Sequence, residues 1–436
     1  MERKGIDMQY NEKEIKKGIK LHEIQIEKFK TNLIAVFLSM PITKENVTKN
    51  SLISAVLRRG SKSMPTLDKI SQEMEEMYGA SFDCGLDKTG DNHILKFYLE
   101  SINDNFLPKT DENMLKTSIE KLLDIVFNPL VEDGAFKEEY IKQEKENVKR
   151  IIEGKPDNKA RYAFDRCIEE MYKNQPYGLY KYGYIEDLEK ITAQDLYNYY
   201  KTMISGCKID IFVSGNINEA TSIVEQNENI KNLNEREPDY KVNKVEKKEA
   251  IQEKEVIEEM DVIQGKLTIG LDLHLEDENQ KYAAMLYNAI LGGSANSKMF
   301  QEVREKASLA YTAGSSYVRY KSNVFIKCGI EIKNYEKTME IIRKQLEDMK
   351  NGNFSDEDIE NAKKGIISGI KSIDDEQDTQ ITYIFGQELT SEKASLEQYM
   401  EMIQKVSKED IVGIANAVSV NTIYFLKDNG STKEDN

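Results

Sequence analysis

The sequence predicts an α+β protein made of two duplicated domains, each a mostly antiparallel sheet packed against helices, arranged as a clamshell. The main observation is that one order of strands and helices, closed by a final strand, occurs twice along the 436 residues. The segment KITAQD at 190–195 recurs as KVSKED at 405–410. A stretch rich in Lys, Glu and Asn at 226–258 reads as a solvated linker between domains at 1–225 and 259–436.

The first half contains one strand that is apolar along its whole length. Residues 33–40, LIAVFLSM, predict a strand buried on both faces. The turn signal at 88–91 lies between two strand-like runs and predicts a hairpin. Thr192 and Asp195 have capping-box spacing and predict a helix start. Helices are predicted at 51–58, 65–78, 112–127, 133–152, 158–173 and 191–204, and a closing strand at 208–217.

The second half repeats this order. A strand at 265–273 comes before two helices, at 279–291 and 297–308, and then a strand pair at 312–332. The next helix has an apolar face, and Ser355 and Asp358 cap the one after it. The apolar face consists of Met339, Ile342, Leu346 and Met349. A last capped helix is predicted within 405–418 and a last strand at 421–429.

The composition excludes several classes of protein. A net charge of -16 disfavours nonspecific binding to nucleic acid, because phosphates would be repelled. The four cysteines, Cys84, Cys167, Cys207 and Cys328, form no CxxC pair and predict reduced thiols in a cytoplasmic protein. The polar N-terminus shows no signal peptide, and the longest apolar run is too short to span a bilayer. We therefore expect no membrane partner.

The three histidines of the chain do not predict a metal site. His22, His93 and His274 are far apart, and both HExxH and HxxEH are absent. GxSxG, Walker and GxGxxG motifs are also absent. The ordinary interpretation of each histidine is a strand or surface residue.

The stretch at 286–316 contains the most informative motifs. It includes Leu291-Gly292-Gly293, then Arg304-Glu305, then Leu309-Ala310-Tyr311. In this order the three motifs resemble the C-terminal-domain signature of the pitrilysin/insulinase-type metallopeptidases, the inverzincins. Further matches to the family are QPYGLYKYG at 175–183, VSGNI at 213–217 and VIQGKLTIGL at 262–271. The resemblance extends from about residue 19 to 427.

The chain departs from this family at the metal motif. Active members have HxxEH just before a segment like RRGSKSMPT at 58–66, so the motif would fall on 51–55. These positions read Ser51-Leu52-Ile53-Ser54-Ala55, which cannot hold zinc or activate water. The third zinc ligand of the family would fall near Ile152 or Glu153, and the count leaves both open. The resemblance therefore implies that this chain carries no metal and is inactive alone as a zinc peptidase.

The resemblance also implies a role for residues that the chain retains. In the family, an Arg/Tyr pair of the C-terminal domain completes the metal site, and Arg304 and Tyr311 match this pair. Gly292, Gly293 and Ser294 would contribute to substrate binding. Loss of HxxEH beside a retained Arg/Tyr pair resembles the non-zinc subunit of the split bacterial heterodimers of this family. We therefore expect peptide substrates and a homologous, zinc-bearing partner subunit.

Three alternatives remain from the sequence. The chain could be a non-catalytic scaffold, because core subunits of respiratory complexes share this fold, or a module that binds peptides without cutting them. A self-sufficient peptidase would need a metal site that the three scattered histidines do not supply. An adjacent gene for a homologue with intact HxxEH would favour the split peptidase.

Overall fold

Two sheets, one in each half of the chain, organise the structure. The computed structural model describes residues 9–108, 113–240, 252–390 and 392–430. Residue 112, which begins the helix predicted at 112–127, lies outside the described residues, as do positions 241–251 of the predicted linker. The strands are β1 Gln9–Lys16, β2 Ile19–Gln25, β3 Thr31–Pro41, β4 Ser81–Thr89, β5 Asn92–Ile102, β6 Val131–Glu132, β7 Ala135–Phe136, β8 Lys208–Gly215, β9 Lys254–Met260, β10 Gly265–Leu273, β11 Ala310–Val318, β12 Asn323–Ile330 and β13 Val418–Asp428.

The helices cover these sheets and follow the predicted order. They are α1 Val47–Leu57, α2 Leu67–Glu76, α3 Met114–Phe127, α4 Glu138–Glu153, α5 Lys159–Met171, α6 Ile185–Leu188, α7 Ala193–Gly206, α8 Ala220–Gln226, α9 Glu228–Asn232, α10 Gln280–Leu291, α11 Tyr335–Lys350, α12 Asp356–Ser372, α13 Gln377–Glu388, α14 Leu396–Lys405 and α15 Lys408–Asn416. The segment Met299–Lys306 is a π-helix. No described helix has the length and apolar character needed to cross a bilayer.

The duplication is visible in the strand order. The first sheet runs β1-β2-β8-β3-β5-β4 and the second runs β11-β12-β10-β13-β9. Read from the opposite edge, the second sheet reproduces the first without β1. Each sheet contains one parallel pair, β2 with β8 and β9 with β13, and is otherwise antiparallel. The predicted fold class of two duplicated, mostly antiparallel α+β units is therefore confirmed.

Apolar sequence explains the centre of each sheet. Residues 32–40 of β3 are all buried, as are all residues of β8, because both strands have neighbours on two sides and helices over their face. The helix starts follow their capping residues. Thr66, Thr192, Ser355 and Ser407 each accept a hydrogen bond from the backbone N–H three residues later.

Two predicted helices begin or wind differently from the prediction. The predicted helix at 133–152 begins only at Glu138, because Asp133 and Gly134 adopt left-handed φ angles in the β6–β7 hairpin. The predicted helix at 297–308 forms, but as the π-helix at Met299–Lys306. Hydrophobic periodicity does not distinguish a short π-helix from an α-helix.

The chain divides into two compact units whose borders differ from the predicted domains. The first unit comprises residues 9–108, 113–153, 179–240 and 377–382, and the second comprises 154–178, 252–376, 383–390 and 392–430. Helix α5 belongs to the second unit because Ala163 and Cys167 are buried in one apolar cluster with Phe325 and Tyr424. The predicted linker 226–258 contains α9 and the first part of β9. The clamshell arrangement of the two units stays a prediction.

Candidate functional site

Helix α1 carries the positions where the family has its metal motif. This helix is buried around almost its whole circumference, between the first sheet and the helices α4, α6 and α7. Ser51 is 4% exposed and Ser54 is 6% exposed, and Ala55 is partly buried against the same core. The Cys84 thiol lies 3.8 Å from the carbonyl oxygen of Ser54. These positions therefore act as small residues in a packed helix interface.

Helix α4 packs beside α1 and contains the two candidates for the third ligand position. Ile152 is partly buried and packs against the core, whereas Glu153 at the helix end is exposed. The buried carboxylate of this helix is instead Glu144, and Arg59 Nη1 lies 3.4 Å from its Oε1. Sequence reasoning missed this pair. The signal was an acid at the centre of the apolar stripe of Ile141 and Val148.

The donor set around α1 does not fit a zinc ion. Zinc in peptidases requires imidazole, thiolate or carboxylate ligands, and Ser51 and Ala55 replace the two motif histidines. Ser54 replaces the general-base glutamate. The nearby carboxylate of Glu144 is already paired with a guanidinium. No catalytic step through a metal can therefore be derived at α1.

All three histidines have structural partners. His22 Nε2 lies 3.0 Å from Asp210 Oδ1, and His274 Nε2 lies 2.9 Å from Ser419 Oγ. His93 Nδ1 lies 3.1 Å from the Asn50 amide, and complete burial lowers the pKa of His93 to about 3. His93 is therefore a neutral core residue across the physiological pH range.

Arg304 lies in the last turn of the π-helix in the second unit. Its side chain is 44% exposed, and Nε lies 3.6 Å from a carboxylate oxygen of its neighbour Glu305. The guanidinium also lies 4.6 Å from the centre of the Phe300 ring. These contacts place the Arg304 guanidinium beside the helix. They are weak surface contacts, so its charge stays accessible.

Tyr311 is the second residue of β11, which is an edge strand of the second sheet. Ala310 pairs with Ile330 and Thr312 with Gly329, so Tyr311 is the extra residue of a β-bulge. Its side chain is 67% exposed. Within the described part of the chain, its hydroxyl makes no hydrogen bond. A bulge of this kind turns a side chain out of the regular pleat of an edge strand.

A short turn connects Arg304 to Tyr311. The Ser308 N–H donates to the Arg304 carbonyl at 3.1 Å, and the Leu309 N–H donates to the Val303 carbonyl at 3.1 Å. Ser308 itself has a φ of 52°, in the left-handed region. The backbone between the two side chains is thus fixed by hydrogen bonds at the end of the π-helix.

The glycine turn after α10 packs against the same edge strand. The Ser315 N–H donates to the Gly292 carbonyl at 2.8 Å, and a Cβ at Gly292 would lie 2.5 Å from the nitrogen of Ser315. Gly292 is buried, whereas Gly293 and Ser294 are exposed. Ser294 Oγ donates to the Ala289 carbonyl at 3.3 Å. Gly292 therefore has a packing role, and the two following residues offer an accessible surface.

The predicted residues thus form two groups in different units. Ser51, Ser54 and Ala55 lie in the first unit, whereas the glycine turn, the π-helix and the start of β11 lie together in the second. The second group presents a half-exposed cation, an exposed phenol and a strand edge. These are groups that could bind an extended peptide and donate hydrogen bonds to its carbonyl oxygens.

Known proteins resemble this chain over nearly its full length. A family model described as "Peptidase M16 inactive domain" matches residues 190–366. The "Probable inactive metalloprotease YmfF" of Bacillus subtilis is 36% identical over 415 residues, covering 94% of this chain and 96% of that protein. The "Uncharacterized zinc protease YmxG" of the same species is 24% identical over 302 residues, covering 69% of this chain and 66% of that protein.

A solved structure extends the similarity to the fold. The crystal structure of a conserved protein from Enterococcus faecalis superimposes with a TM-score of 0.86 at 27% sequence identity. The match covers 96% of this chain and 98% of that protein. Fold and sequence similarity therefore agree over most of the chain.

Proposed function

Because this chain belongs to the peptidase M16 family and resembles its inactive metalloprotease members, we propose that it is the non-zinc subunit of a heterodimeric zinc peptidase. In this proposal it binds peptide and contributes Arg304 and Tyr311 to an active site whose zinc ion and catalytic glutamate belong to a homologous partner subunit. The pair would act in the cytoplasm, where the four unpaired cysteines of this chain would stay reduced.

The observation that carries the proposal is the exposure of Tyr311 at a bulge of an edge strand. A tyrosine placed only for core packing would be buried, as Tyr287 and Tyr424 are in the same unit. Tyr311 instead projects from the sheet with its hydroxyl unused inside the described chain. Arg304, seven residues earlier, has only weak surface contacts. Both side chains are thus available to groups outside this chain.

The chemistry suits the carbonyl that a zinc-bound water attacks. The phenol can donate a hydrogen bond to the oxygen that becomes negative in the tetrahedral intermediate. The guanidinium can hold the same carbonyl or a neighbouring one through charge-assisted hydrogen bonds. The backbone of an extended peptide can pair with the edge strand β11, which would make binding weakly dependent on the peptide sequence. Gly293 and Ser294 would line the adjoining turn.

The relatives support a partner of the same family. Bacillus subtilis has both a "Probable inactive metalloprotease" and an "Uncharacterized zinc protease" that resemble this chain. A cell that contains this chain would therefore need only one further family member with an intact HxxEH motif.

A mixing experiment tests the proposal. The chain and its zinc-bearing homologue are purified separately, and cleavage of a quenched fluorescent peptide library is measured for each alone and for the mixture. We expect cleavage only by the mixture, and a loss on the order of 100-fold in kcat/KM when Arg304→Ala replaces the wild-type chain. The matched control is Arg150→Ala, an exposed arginine of α4 in the other unit, which should leave cleavage unchanged.

Two outcomes would count against this role. Full cleavage by the homologue alone would mean that this chain does not complete the active site. Binding of peptide without cleavage in any mixture would favour a peptide-holding or scaffold subunit instead.

A further inference from the structure

A cavity with its own chemistry lies in the first unit, and none of the residues of the proposed peptide site lines it. It has a volume of about 520 Å³. Its walls come from α7, from the end of α3 with the residues that follow it, and from the segment 232–236 after α9. We call it the α7 cavity.

The charge of this cavity is opposite to that of the chain. The chain contains 77 Asp and Glu against 61 Lys and Arg. The lining of the α7 cavity contains Lys62, Lys201 and Arg236, and no Asp or Glu among the described residues. Three cations without a carboxylate, in a strongly acidic protein, mark a site for a negative group.

None of these cations is neutralised within the described part of the chain. Lys62 and Lys201 form no ion pair there, and Lys201 Nζ lies 4.8 Å from the centre of the Tyr197 ring. Arg236 is 5% exposed and donates to carbonyl oxygens only. Its Nη1 donates to Ile204 at 2.8 Å, and its Nη2 and Nε donate to Asn234 at 2.6 and 3.1 Å. Each Nη atom keeps one further N–H for a ligand.

Burial strengthens the attraction between the Arg236 guanidinium and an anion. Burial lowers the pKa of Arg236, because no carboxylate compensates for its lost hydration. The guanidinium nevertheless stays charged, so an anion in the cavity would gain from pairing with it in a partly desolvated place.

The remaining walls combine apolar and polar side chains, and the aromatic ones are held in place by their neighbours. The Tyr200 hydroxyl donates to the Val126 carbonyl at 2.8 Å, and the Phe136 ring contacts Tyr200 and Tyr197 edge-on. The segment that carries Arg236 is tied to the β1–β2 turn, since Arg236 N–H donates to the Lys17 carbonyl at 3.0 Å. A Cβ at Gly18 would lie 2.5 Å from Arg236 Cγ, so this turn requires glycine. The cavity is thus preformed, with an aromatic wall beside the cations.

We propose that the α7 cavity binds a small organic anion, with a carboxylate or phosphate head between Lys62, Lys201 and Arg236 and an aromatic or aliphatic body against Tyr197 and Tyr200. This site is independent of the proposed peptide site, because it lies wholly in the first unit and uses none of the residues proposed to act on peptides.

Calorimetric titration of the purified chain tests this site. The probes are 3-phenylpropionate, phenyl phosphate and the uncharged 3-phenylpropanamide. We expect saturable binding of at least one anion. The uncharged amide should bind at least about tenfold more weakly, since only the anions pair with the cations. Lys201→Met and Lys62→Met should each weaken anion binding by about tenfold.

The matched control is Lys142→Met, an exposed lysine of α4 outside the cavity, which should bind as the wild type does. Equal binding of the amide and the anions would overturn the proposal, as would wild-type affinity in both lysine variants. Failure of both anions to saturate the wild-type chain at millimolar concentration would overturn it too. The lysines are exposed, so their substitution leaves the fold intact.

Discussion

At the scale of single residues, this fold buries several charged or polar side chains and exposes an aromatic one. Asp210, His22 and Lys208 are charged or polar residues inside the first sheet, and Asp210 pairs with both of the others. Tyr311 is an aromatic residue that the fold leaves exposed. The motif context identified Tyr311 as a candidate site residue. The buried pairing was not predicted, because His22 on β2 and Asp210 on β8 are far apart in the sequence.

The buried Asp210 predicts a pH dependence of stability. Burial alone would raise the pKa of this carboxyl, but the Lys208 ammonium, whose Nζ lies 2.5 Å from Oδ1, and His22 lower it to about 2. Above about pH 4, Asp210 is ionised in both the folded and the unfolded chain, so its contribution is complete. As the pH falls from about 4 to 2, the unfolded chain binds the proton first, and a contribution on the order of 2 kcal/mol is lost.

Chemical denaturation at several pH values checks this. The difference in unfolding free energy between the wild type and Asp210→Asn should be largest above pH 4 and should shrink towards pH 2. Glu146→Gln, an exposed acid of α4, provides the control and should show no such trend. A difference for Asp210→Asn that stayed constant with pH would refute the assigned pKa.

At the scale of elements, the sequence predicted where helices begin better than it predicted their backbone geometry. Capping residues located the starts of α7, α12 and α15, because a hydroxyl that bonds the third N–H is a local signal. The π-helix at Met299–Lys306 and the bulge at Tyr311 were not predicted, since hydrophobic periodicity carries no signal for either. These two irregular features lie on either side of the turn that separates Arg304 from Tyr311.

Two glycines should respond to alanine in opposite directions. Gly292→Ala would bring a Cβ within 2.5 Å of the Ser315 backbone, so the turn after α10 must move away from β11, and the unfolding free energy should fall by about 1–3 kcal/mol. Gly365→Ala, in the middle of α12 with no atom within 4 Å of the new Cβ, should raise it by about 0.5–1 kcal/mol. Thermal unfolding of both variants measures whether the unfolding free energy falls or rises. A neutral Gly292→Ala would show that this turn does not need glycine.

At the scale of the whole molecule, the duplication was predictable and the division of the chain was not. Repeated element order and the paired capping boxes implied two similar halves, and the two sheets share one strand order. Helix α5 precedes the predicted boundary but packs in the second unit with Phe325. An amphipathic pattern shows that a helix has a buried face, but it does not show which sheet covers that face.

The donor chemistry of α1 predicts the metal content of the whole chain. Hydroxyls and a methyl group occupy the motif positions, so the purified chain should bind zinc far below one ion per molecule. Elemental analysis after dialysis against micromolar zinc measures this. One tightly held zinc ion per chain would mean that it has a metal site other than the family's.

In the proposed function, this chain completes the active site of a zinc-bearing homologue through Tyr311. The most direct measurement is kcat and KM for peptide cleavage by the assembled pair with Tyr311→Phe, which removes one hydroxyl, beside the control Tyr78→Phe, another exposed tyrosine. If the hydroxyl stabilises the oxyanion, kcat falls on the order of 100-fold with little change in KM, and the control retains full activity. An unchanged kcat with Tyr311→Phe would contradict the claim.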